Sequence, residues 1–193
     1  MIKYLIVLLF VIKNSMAYEE APYKITYQSD TFEVRFYEER VVIQTNFKGS
    51  SSGFQKLFKY ISGNNQNATK IEMTTPVTML PDQGQMVMQF YLPSRFDLAS
   101  APLPADGSVE ISSIDEGYFA VIQYSGFASD KNFLKHVEIL KKSLDQAKIE
   151  IKGPAIKATY NGPFTLPHLR RNEAMFLVNW SNKYIYLQRY LFR

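Results

Sequence analysis

The chain has 193 residues, of which 46% are apolar, 15% aromatic and 21% charged, with a formal net charge of +4. That length and balance describe one globular domain with a sizeable core. So slight a charge, with no Arg/Lys tract and no basic–aromatic ladder, argues against nucleic acid as a partner. The absence of cysteine excludes disulfides, thiolate metal centres and cysteine nucleophiles.

The first four residues, Met1-Ile2-Lys3-Tyr4, precede an apolar run from Leu5 to Ile12, and Ser15-Met16-Ala17 then supplies small residues where a signal peptidase reads. Residues 1–17 are expected to be a cleaved secretory signal, which places the mature chain in the secretory pathway or outside the cell. An uncleaved anchor is the other reading, but the run falls short of the ~20 residues a membrane span requires.

Residues 18–30 form an extended entry. Phe32-Glu33-Val34-Arg35-Phe36-Tyr37 alternates with period two and reads as a strand, Glu38-Glu39-Arg40 as a turn and residues 41–47 as a second strand, together a hairpin. Gly49 and the serines after it mark a change to helix. Phe54, Leu57, Phe58 and Ile61 then fall on one helical face, and Gly63-Asn64 ends it. Loop 64–69 carries the sequon Asn67-Ala68-Thr69, and a second sequon begins at Asn179. Residues 70–79 form a strand interrupted by Pro76, 81–84 a turn, and 86–92 the returning strand. An irregular connection fills 93–107.

The plan then recurs. A strand starts at Val109, Asp115-Glu116-Gly117 turns, and 118–124 returns. A helix over about 130–147 carries the stripe Phe133, Val137, Leu140, Leu144 and Ala147. Strands 157–164 and 174–180 close the domain. Two β-β-α-β-β units over residues 18–181 predict an α+β fold. They are expected to form one curved, barrel-like antiparallel sheet with pseudo-twofold symmetry and two helices packed on it. Residues 182–193 form an aromatic and basic tail, expected to be partly docked.

Four stretches carry a family resemblance: Phe32–Tyr37; Lys59-Tyr60-Ile61-Ser62-Gly63-Asn64-Asn65; Lys70-Ile71-Glu72-Met73-Thr74-Thr75-Pro76-Val77; and Tyr160-Asn161-Gly162-Pro163-Phe164 running into Arg170-Arg171-Asn172-Glu173. Over about residues 22–180 the chain resembles the SOUL/haem-binding protein family. The resemblance implies a distorted antiparallel β-barrel flanked by two helices. It also implies haem or another tetrapyrrole as ligand, held in a shallow apolar cleft. More distantly, the family is similar to the small-molecule-binding domains of bacterial multidrug-sensing regulators.

Haem needs a flat apolar slot and cations for its propionates, with or without an axial ligand. The resemblance places Phe54 and Phe58 where the cleft is lined and Lys59 beside it as a propionate partner. By the residues alone, the stripe they share with Leu57 and Ile61 reads as core, and Lys59 as solvated surface. Only two histidines exist. His136 flanks the second helix's stripe and reads as structural. His168 lies in a loop that borders the cleft in some relatives, which carry a lysine where this chain has Leu166. That departure makes His168 a candidate axial ligand, against the reading of a solvent-facing loop histidine. Met73, Met79, Met86 and Met88 read as packing. Arg170, Arg171, Asn172 and Glu173 read as ties between loop and barrel.

No Gly-rich phosphate loop, metal-spaced histidine pair or nucleophile elbow occurs. The expectation is therefore a non-enzymatic, monomeric carrier or buffer of haem. The alternatives are a module for another hydrophobic ligand, a membrane- or protein-contacting protein that uses the tail, or an enzyme on the same scaffold such as a hydrolase of small hydrophobic substrates.

Overall fold

A computed structural model of the chain describes residues 18–48 and 50–181. The expected signal segment, Gly49 and the C-terminal tail lie outside the described residues. Twelve strands and two helices follow one another: β1 (Glu19–Glu20), β2 (Lys24–Gln28), β3 (Glu33–Tyr37), β4 (Arg40–Phe47), α1 (Ser50–Ile61), β5 (Thr74–Thr75), β6 (Val77–Asp82), β7 (Gln85–Tyr91), β8 (Glu110–Ile114), β9 (Gly117–Tyr124), α2 (Asp130–Gln146), β10 (Glu150–Ile151), β11 (Ile156–Thr159) and β12 (Asn172–Asn179). The fold is mixed α+β, with one large antiparallel sheet. Its strand order is β2-β3-β9-β12-β11-β6-β7-β4-β8, with β10 beside β12. The two-residue strands β1 and β5 pair in parallel apart from it.

The expected hairpin of residues 32–37 and 41–47 does not form. β3 instead pairs with β9 (Glu33 with Val121 through Tyr37 with Gly117), while β4 pairs with β7 and β8. The reason is local chemistry. A two-residue hairpin wants left-handed backbone at its centre, and Glu38-Glu39 offers two β-carbons and two like charges. Gln83-Gly84 takes positive φ at both residues (46° and 80°), and there β6 and β7 do pair as neighbours. β8 and β9 likewise go to different partners, β4 and β3.

Directly paired residues share a face of an antiparallel sheet. The row Ile43, Phe90, Val77, Thr159, Asn172, Tyr124 therefore lies on one face, and both helices cover it. α1 packs Leu57, Tyr60 and Ile61 against Ile43, Met88 and Phe90. α2 packs Val137, Leu140 and Leu144 against Ile122, Ala174 and Phe176. Gly53 lets α1 come close, since a β-carbon there would stand 3.0 Å from the Phe47 Cβ. Ser129 caps α2 by accepting from the Asn132 N–H, as an N-cap serine does.

The opposite face turns in on itself. Arg40 of β4 stacks on Tyr37 of β3 and Phe119 of β9, with guanidinium carbon to ring centroid distances of 4.2 and 5.0 Å, although these strands lie far apart in the pairing order. The sheet is thus strongly curled, yet its hydrogen-bonded path ends at β2 and β8 among the described residues.

Candidate functional site

α1 divides its apolar residues in a way the stripe alone does not reveal. Leu57 is fully buried, whereas Phe54 and Phe58 are 40% and 49% exposed. The two rings stack on each other, 5.9 Å apart and 13° from parallel, and Phe54 meets Phe90 edge-on at 5.1 Å. They form a small flat apolar platform on the flank of the helix.

Lys59 does not join them. A step of about 100° per residue puts Lys56 and Lys59 on the flank away from Phe54 and Phe58. There they face Asp106, whose carboxyl is held below the usual range by the Ser108 N–H and hydroxyl, with Lys56 and Lys59 adding to the effect. Ser108 in turn accepts from Thr45 of β4, so this flank looks toward β4 and β8. The phenylalanine flank therefore looks the other way along the sheet, past Phe90 of β7 toward β6 and β11, which follow it in the pairing order.

The cation on that stretch of sheet is Lys157. It is 9% exposed, shares its row with Met79, donates to Asp130 of α2 at 2.8 Å and lies 6.0 Å from the Phe133 ring. Nothing local to Lys157 marks it out, because its place opposite Met79 is set by pairing between distant strands.

β11 ends at Thr159, earlier than expected, and residues 160–171 form a loop with a single 3-10 turn at Pro167–Leu169. His168 is exposed on that turn. The Pro167 carbonyl accepts from Gly126 N–H, which holds the turn beside the start of α2. Phe164, Leu166 and Leu169 are exposed around it, and no described contact ties His168 to the phenylalanine pair. The other histidine, His136, stacks on Tyr124 at 4.0 Å and bonds the Asn132 carbonyl through Nδ1, a structural role. Among the described residues no group of three or more His, Asp or Glu side chains is arranged to hold a metal ion.

The motif around Glu173 is a buried charge cluster. Glu173 is fully buried and accepts from Arg35 Nη1 at 3.0 and 3.1 Å, Tyr160 Oη at 2.7 Å and Arg171 Nε at 2.9 Å. Arg171 also grips Glu20 with two bonds of 2.8 and 2.9 Å, and Arg35 bonds Glu33 at 2.8 Å. Asn172 donates to the Gly126 carbonyl. The loop is thereby tied to the sheet, as the sequence leads one to expect. Burial works against the charge on both arginines, but the attraction of Glu173, with Glu20 acting on Arg171, more than offsets it and raises both pKa values.

Four tyrosines are held in the neutral form. Burial pushes Tyr60 up to about 12. Burial first, then the Glu173 charge, pushes Tyr160 and Tyr124 higher. Tyr37 is raised by burial against the opposing effect of Arg35. A group whose folded pKa is raised contributes stability below its unfolded value, about 10 for tyrosine, and that contribution is lost as pH climbs toward the folded value. The urea midpoint should therefore hold steady with respect to these groups up to about pH 10 and fall above it, and Tyr160→Phe should flatten the fall. A midpoint unchanged between about pH 9 and about pH 12 would contradict this.

A cavity of about 620 Å³ opens elsewhere, at one end of the curled sheet, bordered by Pro22, Glu38, Arg40, Tyr91 and Leu98. None of Phe54, Phe58, Lys59 or His168 borders it. Nothing local in Glu38-Glu39-Arg40 announced this, because the cavity wall is assembled from segments far apart in the chain.

Comparison with known proteins bears on these features. The chain is 27% identical over 161 residues to heme-binding protein 1 of Xenopus tropicalis, covering 77% of this chain and 84% of the relative. It is 28% identical over 175 residues to heme-binding protein 2 of Homo sapiens, covering 82% and 83%. Among solved structures, the C-terminal domain of EcmrR superposes with a TM-score of 0.59 at 12% identity, over 82% of this chain and 99% of that domain. A protein described as a hydrolase from Listeria innocua superposes with a TM-score of 0.61 at 9% identity, over 77% and 92%. At such identities these two share the fold alone. The sequence profile of the SOUL heme-binding protein family matches residues 18–177, a span that takes in α1 with its ring platform, the Glu173 cluster and both helix-bearing halves of the sheet. The chain belongs to the SOUL heme-binding protein family.

Proposed function

We propose that this protein binds haem or a related tetrapyrrole on the Phe54–Phe58 platform, above β6 and β11. The observation that carries the reading is the exposed, stacked ring pair on a helix whose neighbouring apolar residues are all buried. A macrocycle can lie against such a surface, because aromatic faces favour offset stacking. Relatives named heme-binding proteins 1 and 2 support the ligand class. In this reading Lys157 meets a propionate, exchanging its bond to the 88% exposed side chain of Asp130 for one to the ligand.

In this reading the protein is a carrier or buffer, not an enzyme, and acts as a monomer. The leader pattern in residues 1–17 supports a secretory or extracellular setting. The β-β-α-β-β order, met as β3-β4-α1-β6-β7 and β8-β9-α2-β11-β12, supports an internal repeat in which each half lends its first strand to the other. The contacts of Arg40 across the curled sheet support a barrel-like form.

The test is titration of the full chain with haemin and, separately, with metal-free protoporphyrin, followed by absorbance. Saturable one-to-one spectral shifts with both are expected, because stacking does not require the iron. Haemin that fails to saturate would end the proposal. Lys59→Ala should leave the affinity within about twofold, and Lys157→Met should weaken it about tenfold. His168→Ala should keep the Soret position. A Soret shift in His168→Ala would instead establish iron ligation by that loop.

A further inference from the structure

The described arginines other than Arg40 all have acceptors. Arg35, Arg95 and Arg171 donate to carboxylates, and Arg170 donates to the carbonyls of Pro163 and Thr165. Arg40 has none. Its Nε and Nη2 are buried without a hydrogen-bond partner, and no ion pair includes it among the described residues. Among the described residues its guanidinium is held only by rings, those of Tyr37 and Phe119 and, at 5.5 Å, Tyr91. Ring faces compensate a desolvated cation in part, but buried donors without acceptors remain costly, more so when charged. The same side chain borders the cavity of about 620 Å³, a volume within the roughly 300–1,000 Å³ of small-molecule sites.

We infer that this cavity is a binding site for an amphipathic monocarboxylate, with Arg40 as its anchor. A carboxylate supplies the acceptor that the protein withholds. A turn of the guanidinium within its stack of rings presents the Nε–Nη2 edge, the edge that pairs a carboxylate through two parallel bonds. Pro22, Val41, Leu92, Phe96 and Leu98 supply an apolar wall for the rest of the ligand.

The cavity's acids shape its selectivity. Glu19 accepts from the Ser94 N–H, and Asp97 from the Ala99 and Ser100 N–H groups. Glu38 and Glu39 are exposed. These four exposed carboxylates line the cavity and none bonds Arg40. One anionic head is drawn inward to Arg40 while a second is repelled at the rim. The site thus suits a ligand with one carboxylate and a neutral body. It does not suit a dianionic macrocycle, and so stands apart from the platform on α1.

The test uses the full chain and dodecanoate, kept below its micelle-forming range, by titration calorimetry. One saturable site is expected, with dodecan-1-ol, dodecylamine and the diacid dodecanedioate each at least about tenfold weaker. Arg40→Lys keeps the charge but loses the fork, and should weaken dodecanoate about tenfold or more. Ala99→Trp narrows the cavity from an exposed loop position and should weaken it with Arg40 intact, so the test survives if the Arg40 variant fails to fold. The Phe54→Ala/Phe58→Ala variant should bind dodecanoate as the parent does, whatever happens to haemin. No saturable binding would overturn the inference. So would equal binding of dodecanoate and dodecan-1-ol, parent-like affinity in Ala99→Trp, or displacement of dodecanoate by one equivalent of haemin.

Discussion

Glu173→Gln is expected to destabilise the protein by about 3–5 kcal/mol, the cost of breaking a buried ion pair while its partners stay in place. The carboxylate is fully buried and takes bonds from Arg35, Tyr160 and Arg171. An amide of the same shape loses the charge and turns one acceptor into a donor facing donors. Arg35, only 3% exposed, then keeps Glu33 as its one carboxylate partner among the described residues. For a domain of this size each kcal/mol shifts the midpoint by about 2–4 °C, so thermal unfolding should fall by roughly 6–20 °C. The double variant Arg35→Met/Glu173→Leu should recover part of the loss, because it removes a charge together with its counter-charge. The measurement is urea unfolding of all three proteins. A loss below about 1 kcal/mol in Glu173→Gln would mean that the cluster is an ornament of the loop and not its fastening.

Phe54→Ala/Phe58→Ala is expected to have the opposite signature, with little change in stability and a large loss of ligand. Both rings are already 40% or more exposed, so the fold gives up little apolar burial. A bound macrocycle gives up two ring contacts at about 1 to 1.5 kcal/mol each, hence roughly 2–3 kcal/mol or about 30- to 150-fold in haemin affinity. Leu57→Ala, one position from Phe58 but fully buried, is the control. It should cost about 2–5 kcal/mol of stability while leaving the platform's chemistry in place. A double variant that binds haemin as the parent does would remove the platform from the account.

What the sequence disclosed was local. Period-two alternation located β3 and β4, and the 3.6-residue stripes located both helices, because those patterns are fixed by which side of one element meets the core. Partner choice was not local. β3 joins β9 more than eighty positions away, as in the pairing of Glu33 with Val121, and nothing in Phe32–Tyr37 encodes that. The stripe on α1 is apolar throughout, but it spans more of the helix than the sheet covers, so Leu57 goes inside while Phe58 stays out. Lys59 follows Phe58 directly in sequence, and the helical step carries it to another flank. Glu173 was legible as a tie because it closes a run of charged residues after a loop. Arg40 was not, because its surroundings come from β3, β7 and β9 at once.

The most direct test of the central claim is to follow backbone amide signals of the full chain by NMR during titration with zinc protoporphyrin, which is diamagnetic. Binding on the platform predicts saturable shifts concentrated in α1 near Phe54 and Phe58 and in β6 and β11 around Val77, Met79, Lys157 and Thr159. Shifts centred instead on Arg40, Tyr91 and the 94–99 loop, or shifts that never saturate, would contradict it.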